Sequence, residues 1–221
     1  MPSETETPDQ PAPRGDEKLF LIIVIALAFI AGLGSWAAVF AFSHKEKLQT
    51  IEPDHARWLA DFSLTDSTGR VVTRHDVDGK MLAVSFLFTG CSLTCPEVSR
   101  RMAEIQRLTT NAPDVALLSL TVDPRTDTPP VLARWGARYG ADTNRWFLLT
   151  GDQTQLLTLI GTSFLASETN NPFNSMPGNF GGTDRIAVVD KSGRLRVFFD
   201  GLRQETPAAV VAEMEQLRKE E

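Results

Sequence analysis

The run Met81-Leu-Ala-Val-Ser-Phe-Leu-Phe88 is apolar apart from one serine, and the chain then passes through Thr89-Gly90 into Cys91-Ser-Leu-Thr-Cys95-Pro96. A run of that length and character predicts a buried strand. Pro96 suits the first turn of a helix, and Val98, Met102 and Ile105 continue at helical spacing. A strand is therefore expected to hand over to a helix through a loop that holds the only two cysteines of the chain. The dipole and the unpaired N–H groups of a helix start favour thiolate and lower its pKa. Cys91 and Cys95 are accordingly read as a redox pair or as soft-metal ligands. A structural disulfide between near neighbours, or two inert core thiols, are the plainer alternatives.

The rest of the chain supplies elements that fit around this unit. Phe62-Ser-Leu-Thr, the turn Asp66-Ser-Thr-Gly69 and Arg70-Val-Val-Thr73 predict a short hairpin. Val115 to Val122 reads as a second buried strand, Pro129 to Tyr139 as a helix, and Arg145 to Thr150 as a third strand. A helical segment runs from about Gln153 to Ile160. Arg185–Val189, the turn Asp190-Lys-Ser-Gly193 and Leu195–Phe199 form an antiparallel hairpin, and a closing helix spans about Pro207 to Lys219. A βαβ unit with cysteines at its first strand-to-helix junction, followed by a hairpin and a helix, specifies an α/β domain of the thioredoxin-like kind. Ala166 to Thr183 is rich in Asn, Gly, Ser and Pro and is expected to be a long surface loop.

Upstream of that domain, residues 19–42 carry no charge. As a helix they span about 36 Å, enough to cross a bilayer, and they exceed the apolar core of a cleaved signal peptide. The expected organisation is a disordered segment over 1–18, a single-pass transmembrane anchor over 19–42, a charged stalk over 43–57 and the folded domain over 58–221. Arg14 and Lys18 precede the run and Lys45, Lys47 and Arg57 follow it, so the positive-inside rule does not orient it. The 221 residues carry a net charge of −6 spread along the chain, which argues against a nucleic-acid partner. Three histidines, His44, His55 and His75, are too few and too scattered for an all-histidine metal site, and zinc is disfavoured on the same grounds.

Three further segments carry a family likeness: Thr121-Val-Asp-Pro-Arg-Thr-Asp-Thr-Pro129, Trp146-Phe-Leu-Leu-Thr-Gly151, and the opening hairpin with Phe62-Ser-Leu and Gly79-Lys80. With the C-x-x-x-C spacing, they resemble the SCO/SenC family of membrane-anchored, thioredoxin-like proteins of the bacterial periplasm and mitochondrial intermembrane space. The resemblance covers roughly Phe62 to Phe199. It implies assembly of the binuclear copper site of cytochrome c oxidase, copper bound through both cysteines and one later histidine, and thiol–disulfide exchange with the oxidase subunit. Cys91 and Cys95 match the family cysteines. Asp123 and Asp127 match its acidic positions, where the expected role is to cap the next helix and shape the loop. The histidine does not match: Gly182 stands at its position, and no histidine follows His75.

That departure divides the functional expectation. Cu(I) favours soft thiolates and accepts few ligands, whereas imidazole matters more for Cu(II). Met176, in the loop before Gly182, offers a thioether as a replacement ligand, against the plainer reading of a loop residue packed on the surface. Thiol–disulfide exchange needs only a low-pKa thiolate and a resolving partner. Cys91 is expected to present the more exposed sulfur and Cys95 to lie nearer the helix start, which does not rank them as nucleophile. Arg100 and Arg101 are expected to point to solvent.

Three roles follow. One is a thiol–disulfide oxidoreductase acting on a respiratory copper oxidase subunit or a copper-delivery protein. Another is a pure Cu(I) metallochaperone with a non-histidine third ligand. The third is a peroxide-reducing enzyme, disfavoured because no T-x-x-C pattern surrounds Cys91. The expected location is the cytoplasmic membrane, with the domain on its periplasmic or outer side.

Overall fold

The structure, a computed structural model, describes residues 49–50, 57–164 and 184–220. The segments read as a disordered leader (1–18) and an anchor (19–42) lie outside the described residues, as do His44, His55, Met176 and Gly182. Among the described residues no helix is long and apolar enough to cross a membrane.

In chain order the first elements are β1 (Gln49–Thr50), β2 (Ser63–Asp66), β3 (Val71–Thr73), β4 (Met81–Leu87), α1 (Thr94–Leu108) and β5 (Val115–Thr121). There follow α2 (Pro129–Arg138), β6 (Trp146–Thr150), α3 (Gln153–Phe164), β7 (Arg185–Val189), β8 (Leu195–Asp200) and α4 (Thr206–Leu217). The strands form one sheet in the order β1-β8-β7-β4-β5-β6-β2-β3. β4, β5 and β6 are parallel, whereas β7 runs antiparallel to β4 and hairpins into β8.

The unbroken apolar character of β4 and β5 follows from this position, because both strands are covered on each face and every one of their residues is buried. Met81, Ala83 and Leu87 face the layer of α1, α2 and α4, where Val98, Met102, Ile105, Leu132, Trp135, Val210 and Met214 pack. Leu82, Val84 and Phe86 face Leu156, Leu159, Ile160 and Phe164 of α3. The serine that interrupts the run sits opposite another: Ser85 pairs in register with Ser119, their hydroxyls are 2.8 Å apart, and the Trp146 indole N–H donates to Ser119 at 2.9 Å. Two buried hydroxyls and an indole thus satisfy one another. Burial of Val98, Met102 and Ile105 at 2% exposure or less fixes α1 on the sheet, each worth about 1.5–3 kcal/mol.

Most boundaries fall within two residues of the sequence reading, and two differ by more. α3 continues to Phe164 because its last turn is buried: Phe164 meets Phe86 edge-on at 5.3 Å, and Ser163 Oγ accepts the Ala60 N–H at 3.0 Å. Two residues of the segment read as stalk, Gln49 and Thr50, pair with Phe198 and Val197 on the edge of β8. The turn at Asp190–Gly193 closes through the Gly193 N–H to Asp190 O at 2.9 Å, with Gly193 at φ +91, a conformation that glycine adopts without strain.

Candidate functional site: the Cys91–Cys95 turn

β4 ends at Leu87, and the chain leaves the sheet through a turn in which the Cys91 N–H donates to Phe88 O at 3.1 Å. α1 then begins at Thr94, so Cys95 lies in its first turn and Cys91 just outside it. Leu93, the residue at the cap position, offers no side-chain acceptor. The sulfur of Cys91 serves instead: the Cys95 N–H points at it from 3.3 Å, and Thr94 Oγ1 lies 3.2 Å away. A polarisable sulfur thereby takes a place that Ser or Asp commonly fills at a helix start.

The two thiols occupy different environments. Both are free; Cys91 is partly exposed and Cys95 is fully buried, with 0% exposure. Burial alone raises the pKa of Cys91. Hydrogen bonds from the Thr94 hydroxyl, the Cys95 N–H and thiol, and the Leu93 N–H outweigh that effect and bring it down to about 7. Burial pushes the Cys95 thiol up to about 12, and the neighbouring Cys91 sulfur adds to the rise. The helix start therefore favours the thiolate of Cys91 rather than that of Cys95. Nearness to the first turn is a poor guide here, because Cys95 pays for it with burial against Val98 and Met102 of the same core.

The other residues singled out in the sequence are placed as follows. His75 is exposed, 3.2 Å from Asp78, ahead of the N-terminal end of β4. The cysteines follow the opposite end, about 20 Å along the strand, so the two are not brought together. Among the described residues no group of three or more His, Cys, Asp or Glu is disposed to hold a metal. Arg100 is exposed as expected, but Arg101 is not: its side chain is 14% exposed, and both guanidinium groups are engaged by Glu97. Glu97 thus draws Arg101 onto the surface of α1.

Asp127 does not cap α2 either. The cap position belongs to Thr128, without a side-chain bond. The Asp127 carboxylate turns inward and accepts the N–H and hydroxyl of Thr89 and the hydroxyl of Thr121. The roles of Thr89 and Thr94 and this use of Asp127 have no place in the sequence reading. The Thr-Cys pair at a helix start was a local signal for Thr94, whereas the Thr89–Asp127 contact depends on tertiary structure.

A partly exposed thiol at the start of a helix, a buried thiol one turn on, and a central parallel βαβ unit flanked by a hairpin define a dithiol domain of thioredoxin-like fold. The chain belongs to the SCO1/SenC family, whose model matches residues 51–219. It is similar to the human mitochondrial SCO1 homolog, 31% identical over 144 residues that cover 61% of this chain and 45% of that protein. The chain spans about half the length of the curated relatives it matches.

Among solved structures, BsSco, described as a Sco-family cytochrome c oxidase assembly protein with a disulfide switch, superposes with a TM-score of 0.62. The two are 21% identical over 76% of this chain and 98% of that one. Bradyrhizobium japonicum ScoI with copper bound gives a TM-score of 0.57 and 24% identity over 72% of this chain and 98% of that one. At these identities the structures speak for the fold.

Proposed function

We propose that this chain is a membrane-anchored SCO-family protein in the maturation of a respiratory copper oxidase, working through the Cys91/Cys95 dithiol by thiol–disulfide exchange. The observation that carries this reading is the asymmetry of the pair: Cys91 Sγ is partly exposed and faces the Thr94 hydroxyl and the Cys95 N–H, whereas Cys95 is buried at 0% exposure, which draws the pKa of the first down and pushes that of the second up. Such a pair divides the work into attack and resolution.

In the first step the Cys91 thiolate attacks one sulfur of a partner disulfide. The partner S–S bond breaks, a mixed disulfide forms, and the displaced partner sulfur leaves as a thiolate and takes a proton. In the second step Cys95 gives up its proton and its sulfur attacks Cys91 Sγ. The Cys91–Cys95 disulfide forms and the second partner sulfur departs. Two electrons pass from the dithiol to the partner, which is left as a dithiol, and an external thiol reductant restores the starting state. Cys95 stays protonated until its target is adjacent, which keeps it from competing for the partner.

A second reading is supported by the chemistry of the donors. Two thiolate sulfurs suit Cu(I) as cargo, and a fold relative holds copper. Met176 is the candidate for a third, thioether ligand in this reading. The anchor at 19–42 and a domain on the outer side of the cytoplasmic membrane complete the proposal, supported by the uncharged run and by the family resemblance.

One preparation tests both modes. Reduced full chain in detergent is divided between glutathione disulfide and an anaerobic Cu(I) competition against a chromophoric chelator. Thiol exchange predicts two glutathiones released per chain with none retained. The chaperone reading predicts one tightly held Cu(I), lost on replacing both cysteines by serine and weakened by Met176→Leu. A chain that forms no internal disulfide and binds no Cu(I) removes the dithiol from the function.

A further inference from the structure

We infer that Asp127 is a positioning residue for the dithiol: its carboxylate fastens the loop that presents Cys91. The inference rests on the thiol-exchange reading and extends it to a residue on another loop. Asp127 is fully buried, with 0% exposure, and a carboxylate in that setting is costly unless donors surround it. Its donors are specific. Thr89 N–H reaches Oδ1 at 3.1 Å and Oδ2 at 3.2 Å, the Thr89 hydroxyl donates to Oδ1 at 2.5 Å, and the Thr121 hydroxyl donates to Oδ2 at 2.5 Å.

The placement of these donors gives the contact its meaning. Thr121 ends β5, in register with Leu87 at the end of β4, and its Oγ1 also accepts the Asp123 N–H at 3.0 Å. Thr89 is the second residue of the turn closed by the Cys91 N–H to Phe88 O. Asp127 therefore ties the loop after β5 to the turn before Cys91, across 38 residues of sequence. Gly90 within that turn and Ser92 and Leu93 beyond it are exposed. With Thr89 held, Cys91 Sγ stays within reach of both Thr94 Oγ1 and the Cys95 N–H. Disulfide closure demands a narrow geometry between the two sulfurs, so a fastened turn raises the effective concentration of one thiol at the other.

The test is the equilibrium of the Cys91/Cys95 couple with glutathione in full chain carrying Asp127→Asn, Thr89→Val or both. The Asp127→Asn chain is expected to lower the equilibrium constant for the internal disulfide about tenfold, a potential less reducing by about 30 mV for a two-electron couple. Thr89→Val, a milder change should Asp127→Asn fail to fold, is expected to act in the same direction. The double variant is expected to lose less than the sum. Asp66→Asn supplies a matched control: Asp66 is 2% exposed and accepts the Thr68 and Arg70 N–H groups within the β2–β3 hairpin rather than in the turn before Cys91, so it should reduce thermal stability and leave the couple unchanged. Equilibrium constants within twofold of the starting chain in both Asp127→Asn and Thr89→Val, whatever their melting temperatures, overturn the inference alone. A starting chain that forms no Cys91–Cys95 disulfide overturns the thiol-exchange reading and the inference with it.

Discussion

Cys91 and Cys95 differ because a helix start has two sides. Cys91, two residues before the cap position, collects N–H and hydroxyl donors without full desolvation, whereas Cys95, inside the first turn, is committed to the core. The consequence is a pH profile. Thiolate is the nucleophile, so alkylation of Cys91 by iodoacetamide should slow as pH falls and reach half its plateau rate near pH 7, while an ordinary cysteine does so near 8.5. Site-resolved mass spectrometry across pH 5 to 10 reads this directly. A midpoint near 8.5 would mean that the donors around Cys91 do not stabilise its thiolate. Spacing alone located the pair but left its ranking open, because the ranking depends on which sulfur the core covers.

At the scale of elements, the turn after β8 bears on the helix that carries Cys95. A Cβ on Gly201 would stand 2.8 Å from Asp184 O and 2.9 Å from Val98 Cγ2, and the Gly201 N–H already donates to Asp184 O at 2.6 Å. Gly201→Ala should therefore cost about 1–3 kcal/mol, a melting temperature lower by roughly 2–12 °C for a domain of this size. An unchanged melting curve would show that α1 and the head of β7 yield freely at this point.

The elements themselves were legible wherever a local pattern sufficed. The strands at 81–87 and 115–121, the helix after Pro96 and the Asp190–Gly193 hairpin all follow from apolar runs, helical spacing or turn chemistry. The last turn of α3 was not legible, since Ser163 and Phe164 are ordered by Ala60 and Phe86 from elsewhere in the chain. Asp127 was visible as part of a motif, but its direction was not. A carboxylate just before a helix reads as a cap until Thr89 is seen to lie behind it.

For the whole molecule, the sheet order brings chemistry to one end. β4 and β5 are parallel neighbours, so the loops leaving them meet at the C-terminal ends of the strands, where open α/β sheets commonly place their sites. That topology puts Cys91, Thr89 and Asp127 together and His75 at the other end. Among the described residues it also leaves the two sulfurs with no histidine beside them, in a family whose resemblance implies one where this chain has Gly182.

The central claim is that Cys91 attacks and Cys95 resolves. Its most direct test is to treat full chain carrying Cys95→Ser, and separately full chain carrying Cys91→Ser, with glutathione disulfide at pH 7 and to follow the adducts by intact mass. The account predicts that the Cys95→Ser chain accumulates one stable glutathione on Cys91 while the Cys91→Ser chain stays unmodified over the same time. Equal or faster modification of Cys95 in the Cys91→Ser chain would contradict it.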